Sequence, residues 1–314
     1  MANVLSRTAS GGTVLFPPQL MDETINLVRG SSSLAKLSAT MPVAFNGNDI
    51  FTFNLDKEVD FVEENGAKSN GGGTLATVNV KPVKMEYGLR VSKEFQYGAA
   101  EVRLPYLRMF AEGIAKKIAR GLDIGAFHGV NPRTGAAATT TVGTQYFDSL
   151  VTNTATIATP GQGQQTNGTT AVEAAIALVQ GGNHTPTGIA MAPAFRSILA
   201  QETYTDGRPK YQDLSFGGQP DTLGGLRMDS NDTVSFTAGS MTNLNRAYIE
   251  NFRDYFRWGY ARALEIEVIP YGNPDNDATA GDLAGHNQVY LRGEAFIGWG
   301  ILVPAAFARV LAAS

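Results

Sequence analysis

The residue types that most often do chemistry are thinly spread along this chain. Its three histidines, His128, His184 and His286, lie far apart in glycine-rich surroundings. A histidine-based metal or nucleophile site would need partners from distant segments, so surface or helix-end positions account for them better. The run Gly161-Gln-Gly-Gln-Gln-Thr-Asn-Gly-Thr-Thr offers backbone amides to a phosphate but lacks the Gly-Lys-Ser/Thr that defines a phosphate loop. Asn273-Pro-Asp275-Asn-Asp277 has the spacing at which a calcium loop begins. Ala278, however, stands where the turn glycine belongs and Ala284 where the bidentate acid belongs, leaving a polar loop. Glu63-Glu64 has the composition of a carboxylate pair, but adjacent residues of a strand point to opposite faces, and a solvated edge is the simpler reading. Arg253, Arg257 and Arg262 interleave with Phe252, Tyr255, Phe256, Trp258 and Tyr260, the alternation used by single-strand-binding platforms. In an acidic chain, strand packing or a charged contact between subunits fits that run better. The absence of cysteine excludes thiol catalysis, disulfides and thiolate metal sites. No catalytic constellation emerges, and no cofactor or metal is implied.

Composition explains what the chain does instead of chemistry. With 314 residues and 43% hydrophobic content it can build a real core, which excludes wholesale disorder. Charged residues make up 17%, below the roughly 25% of an average soluble domain, and glycine supplies 35 positions. That profile suits a β-rich chain with many turns whose surface is largely covered by something other than water. The net charge of -4 argues against a dedicated nucleic-acid binder. The N-terminus lacks the apolar core of a signal peptide, and the greasiest stretch, Ala295 to Ala308, is broken by glycines and Pro304, so an intracellular, non-membrane product is expected.

The elements follow from periodicity. The first sixteen residues are small, polar and aperiodic, and read as an arm. After Pro17-Pro18, the spacing of Leu20, Met21, Ile25 and Val28 predicts a short helix. From Ile50 to Val91 the period becomes two: Phe51, Phe53, Leu55, Val59 and Phe61 on one arm, and Val83, Met85, Tyr87, Leu89 and Val91 on the other. They flank the polar tip Glu63 to Gly73, which predicts a long antiparallel hairpin. An isolated two-stranded hairpin is marginal in water, so something else must support it. Leu104, Leu107, Phe110, Ile114, Ile118 and Leu122 form one helical stripe within Leu104 to His128, with Glu112, Lys116, Lys117 and Arg120 off it. A loop-rich tract (136–170), a helix at Ala171 to Gln180, a strand from Gly188 leading to a helix at Ala194 to Gln201, and a β-rich last third complete the chain.

This order of arm, short helix, unsupported hairpin, long helix, mixed middle and β-rich end resembles the major capsid proteins of tailed bacteriophages, an α+β fold of Hong Kong 97 type. Local residues resemble the family too: Leu15-Phe16-Pro17-Pro18 to Val28, Ser33-Leu34, Met41-Pro42, Val62-Glu63, Lys81, Leu122-Asp123 to Gly129, Asn287 to Glu294, and Pro304-Ala305-Ala306-Phe307. The resemblance implies an N-terminal arm and short helix (1–44), an E-loop hairpin (45–87), a peripheral domain on a spine helix (88–136 and 244–296) and an axial domain (137–243 and 297–314). It implies a shell subunit that meets copies of itself in hexamers and pentamers around double-stranded DNA. It also implies that the chain is not an enzyme, with a virion location and assembly in the host cytoplasm. Some relatives carry a scaffolding segment ahead of the arm; this chain begins on its arm, so any scaffold is expected to be a separate protein or absent, and portal and decoration proteins are further candidate partners. The mild negative charge implies a weak grip on packaged DNA.

The resemblance also points to residues. Glu63, Glu64, Lys68, Arg253 and Arg257 are expected at contacts between subunits. Some members join an E-loop lysine to an asparagine, with a glutamate as catalyst, and Lys68, Asn287 and Glu294 match those positions. Glu294 would take a proton from the Lys68 ammonium, and the free amine would attack the Asn287 amide, forming the new C–N bond and releasing ammonia. Residues seven apart on a strand face opposite ways, so different subunits would have to contribute Asn287 and Glu294. The other readings are an encapsulin-type nanocompartment of the same fold, and a β-rich carbohydrate-binding protein or enzyme.

Overall fold

Three period-two segments lie between residues 48 and 92, and how they pair decides the architecture. The computed structural model describes residues 8–9, 13–14, 31–93, 100–157, 167–239 and 241–313. The helix expected over Gln19 to Val28 and most of the arm lie outside them. Within the arm, β1 (Thr8–Ala9) pairs with β2 (Thr13–Val14). Helix α1 (Ser33–Leu37) and β3 (Ala39–Thr40) lead to β4 (Asn48–Leu55), β5 (Gly73–Val80) and β6 (Pro82–Ser92). The return arm of the hairpin is β5, with Asn48 opposite Val80 and Leu55 opposite Gly73. The segment Val83 to Val91, expected as that arm, is β6 and belongs to another sheet. Lys81-Pro82 separates the two, and proline at the start of β6 offers no amide to continue the hairpin ladder.

Helix α2 (Ala100–His128) is the long helix, spanning about 43 Å at 1.5 Å per residue. Phe110, Ala111, Ile114, Ala115, Ile118 and Leu122 are buried and Lys116 and Lys117 exposed, as the apolar stripe requires. Gly125 meets the Trp299 indole, since a Cβ there would lie 3.0 Å from the ring.

The middle of the chain holds α3 (Thr139–Val142), α4 (Phe147–Leu150), β7 (Thr154–Thr156), α5 (Gly168–Gly181), β8 (Gly188–Met191) and α6 (Pro193–Gln201). Next come β9 (Thr222–Leu223), β10 (Leu226–Ser230), β11 (Asn245–Glu250), α7 (Phe252–Tyr255), β12 (Phe256–Ile269), β13 (Gln288–Ile301) and β14 (Ala308–Leu311). A mixed six-stranded sheet has the order β7-β14-β11-β8-β10-β9, and a four-stranded sheet the order β3-β12-β13-β6. β13 pairs antiparallel with β6 from Gln288 opposite Ser92 to Gly298 opposite Pro82. Its odd-numbered residues, Val289 through Ile301, face inward toward α2, where Gly293 leaves room for the Ile114 side chain. One continuous hydrophobic core joins both sheets and α2, with Phe127, Phe147, Tyr248, Phe252, Phe256 and Phe307 at its centre.

Candidate functional site

The hairpin carries apolar residues that its own subunit does not cover. Phe51, Phe53 and Leu55 alternate along β4 on one face, and their fractional exposures are 64%, 67% and 67%. Leu75 on β5 stands opposite Phe53 and is equally bare, while Phe61 beyond the strand end is 97% exposed. The tip closes at Asp56, whose amide donates to the Gly72 carbonyl at 3.1 Å and whose carboxylate accepts the Gly72 amide at 2.7 Å. Glu63, Glu64 and Lys68 all lie in the exposed segment beyond that closure.

The second surface is the outward face of the four-stranded sheet. Glu86, Glu294 and Glu265 stand side by side across β6, β13 and β12. Like charges in adjacent register repel, and cations on the same face offset them. Lys84 Nζ lies 2.9 Å from Glu294 and 3.5 Å from Glu86, Arg292 pairs with both Glu294 and Glu267, and Arg262 pairs with Glu265. The hydrogen bond to Glu294 raises the Lys84 pKa above the ordinary lysine value even against the cost of burial.

The loop between β12 and β13 is built on Arg90. Its guanidinium forks onto Asp275 at 2.8 and 2.6 Å, and it also donates to Asn273, Ala280 and Gly281. The fork holds the Asp275 carboxyl down at about 2. Asp277 accepts the Thr279 and Ala280 amides, so the acids with a calcium-like spacing are engaged in folding the loop itself. Among the described residues no cluster of histidines and acids could hold a metal ion. Asn287 ends this loop in the left-handed region (φ 52°) and is exposed, and its carbonyl accepts the Lys93 amide at 2.9 Å.

The residues singled out from sequence therefore fall in four separate places. Lys68 is on the hairpin tip. Asn287 is at the turn into β13, and Glu294 lies seven residues along it, about 23 Å away at 3.3 Å per residue. Arg253 is exposed on α7, and the Arg257 guanidinium folds back onto the Arg253 carbonyl, so these two share one corner where α7 runs into β12.

Sequence reading missed the anchors that hold these surfaces in place. Asp123 on α2 is completely buried and accepts from Ser32 Oγ, from the Ser33 and Leu34 amides, and from Thr233 Oγ1 at 3.0 Å. Burial pushes its carboxyl up to about 6 against the pull of these bonds. Lys36 adds an ion pair with Asp229 at 2.7 Å. His128, at the end of α2 as expected but buried, bridges Asp148 and the Thr233 carbonyl at 2.8 Å each. Burial raises the Asp148 pKa, but His128, the Tyr248 hydroxyl and the Arg309 charge together outweigh it and leave this carboxyl below its ordinary value. Of these anchors, the family-like Ser33-Leu34 and Leu122-Asp123 were the sequence signals, with nothing in them to say that they meet.

The comparisons with known proteins agree with this architecture. A model described as the phage capsid family matches residues 12–310. A solved structure from Mycobacterium phage Ogopogo is 30% identical, covers 90% of this chain and 92% of its own, and superposes with a TM-score of 0.75. One from Gordonia phage Cozz is 23% identical, covers 90% and 87%, and gives 0.74. A third, described as the capsid of an empty GTA particle computed with C5 symmetry, is 13% identical, covers 100% and 96%, and gives 0.64. No curated protein matches the chain.

Proposed function

The chain belongs to the phage capsid family and is a major capsid protein of the Hong Kong 97-type fold; on that premise we propose that its hairpin is the arm by which each copy grips the next. The observation that carries this reading is the bare apolar row of β4, Phe51, Phe53 and Leu55, together with Phe61. Burying an aromatic or aliphatic side chain is worth about 1.5–3 kcal/mol, and a folded subunit that leaves four such groups in water gains that free energy when a neighbour covers them. A shell needs one patch to meet a different patch on the next copy until symmetry closes, and an extended arm supplies the first patch.

We divide the chain as the resemblance implied, with the arm and short helix at 1–44, but end the E-loop (45–87 in that division) at Lys81, because Pro82 to Ser92 is β6 of the four-stranded sheet; the peripheral and axial domains follow. The strands favour moving the crossings between the last two from 243/244 and 296/297 to Asn251 and Leu302. β11 pairs within the six-stranded sheet and β13 stays in the four-stranded one to Ile301. The peripheral domain would then hold α2, β6, β12 and β13. Hexamers and pentamers, a scaffold that is separate if there is one, portal and decoration proteins, assembly in the host cytoplasm and weak contact with packaged DNA complete the reading. Glu63, Glu64, Lys68, Arg253 and Arg257 are its proposed contact residues.

The same reading makes the protein a structural subunit with no enzymatic turnover, held in its shell without covalent links. Glu294 is engaged by Lys84 and Arg292. A crosslink would have to break those ion pairs and bring Lys68, Asn287 and Glu294 together from different copies. An encapsulin-type shell is not favoured by the family match. Sedimentation of the purified chain at micromolar concentration tests the reading: oligomers or closed shells are expected, and monomer alone under every salt condition and with scaffold supplied would contradict it.

A further inference from the structure

The most exposed aromatic among the described residues lies outside the hairpin, in the short helical segment Gln212–Gly217. Phe216 is 110% exposed, more than an extended reference chain would leave it, and its backbone sits in the left-handed region at φ 53°, ψ 30°. A bulky residue there is strained, and such strain persists only where the surroundings over-determine it. They do so here. Leu214, two residues before, is buried to 1%. The Gly218 amide donates to the Ser215 carbonyl at 3.1 Å, and a Cβ at Gly218 would lie 2.0 Å from the Asp213 carbonyl oxygen. The base of the segment is equally fixed. Tyr211 Oη is 3.1 Å from Thr169 Oγ1 at the start of α5, and the Glu202 carboxylate accepts the Thr169 amide at 2.9 Å and Lys210 Nζ at 3.1 Å.

The position therefore favours glycine, and glycines follow at 217 and 218, yet it holds a phenylalanine that the described residues leave fully exposed. The compensation has to come from outside the subunit. An aromatic anchor entering an apolar recess is the usual energetic centre of a protein contact, and the partner a shell protein is certain to meet is another copy of itself.

We propose that Phe216 is a contact anchor between copies, its ring inserting into an apolar recess on a second copy of this chain; the proposal rests on the shell reading but not on the hairpin. The chain has no cysteine, so Phe216→Cys places the sole thiol at this position, and its rate of reaction with a maleimide is measured in dissociated subunits and in assembled shells. The expected result is at least a tenfold slower reaction in shells. A second variant, Phe216→Gly, is expected to relieve the backbone strain and raise the subunit's melting temperature, while raising the concentration needed for assembly about tenfold. Equal thiol reactivity in both states, with Phe216→Gly assembling like the wild type, would overturn the anchor while leaving the shell reading intact; that result would also be given by a ring reserved for a decoration protein. Failure of the wild type itself to form shells would overturn both.

Discussion

The carboxylate of Asp123 and the backbone amide of Ser33, separated by 90 residues in sequence, meet at 2.9 Å in the interior. Asp123 thereby caps the first turn of α1, and the segment leading to the hairpin is fastened to the long helix. The anchor titrates. Its folded value of about 6 lies above the 3.8 of a free carboxyl, so the folded subunit holds this proton more tightly than the unfolded chain. Its contribution to stability is therefore greatest below about pH 4, declines as pH rises through 6, and is level above that. A shift of about two units corresponds to about 3 kcal/mol across the window. Denaturant unfolding of dissociated subunits from pH 4 to 7 should show that slope in the wild type and lack it in Asp123→Asn; parallel curves would contradict the assignment.

Gly259 on β12 should tolerate no side chain. A Cβ there would lie 1.7 Å from the Met41 carbonyl oxygen, a backbone atom held in place because the Met41 amide donates to the Trp258 carbonyl at 2.8 Å. Gly259→Ala is expected to push the hairpin's base off β12 and cost at least 2 kcal/mol. Thermal unfolding within a degree of the wild type would show that the two strands are not so closely apposed.

Arg90→Lys should loosen the loop between β12 and β13, because an ammonium cannot reproduce the bidentate fork on Asp275 or reach Asn273, Ala280 and Gly281 together. Faster amide exchange confined to residues 271–287 is the expected readout. Unchanged exchange there would mean the loop folds without its arginine.

Shells without covalent links should dissolve to a single monomer band on a denaturing gel. A ladder of multimers that disappears in Lys68→Arg or Glu294→Gln would instead establish the crosslink among Lys68, Asn287 and Glu294.

Much of the fold was legible because its signals are local. The stripe on α2 and the alternation of Phe51, Phe53 and Leu55 on β4 are carried by contiguous residues that each share one face, so period alone revealed them. Alternation does not name a strand's partner, however. β4, β5 and β6 all read as extended, and the pairing of β4 with β5, leaving β6 to β13, depends on tertiary packing around α2. The contact surfaces were legible only in part. Residues such as Phe51 and Phe61 look like core in sequence, and their exposure becomes meaningful once the fold leaves them uncovered. Asp123 with Ser33, and Phe216 with its positive φ, depend on contacts or backbone angles that no spacing rule reports.

The central claim is that the hairpin clamps one copy to the next. Replacing residues 57–71 with Asn-Gly joins Asp56 to Gly72, which are already hydrogen-bonded, and removes Val59, Phe61, Val62 and Lys68 while leaving the paired strands intact. Electron microscopy of this variant, with circular dichroism as the check on folding, is the most direct test. Folded subunits that form no shells, or only fragile ones, are predicted; normal shells as heat-stable as the wild type would contradict the claim.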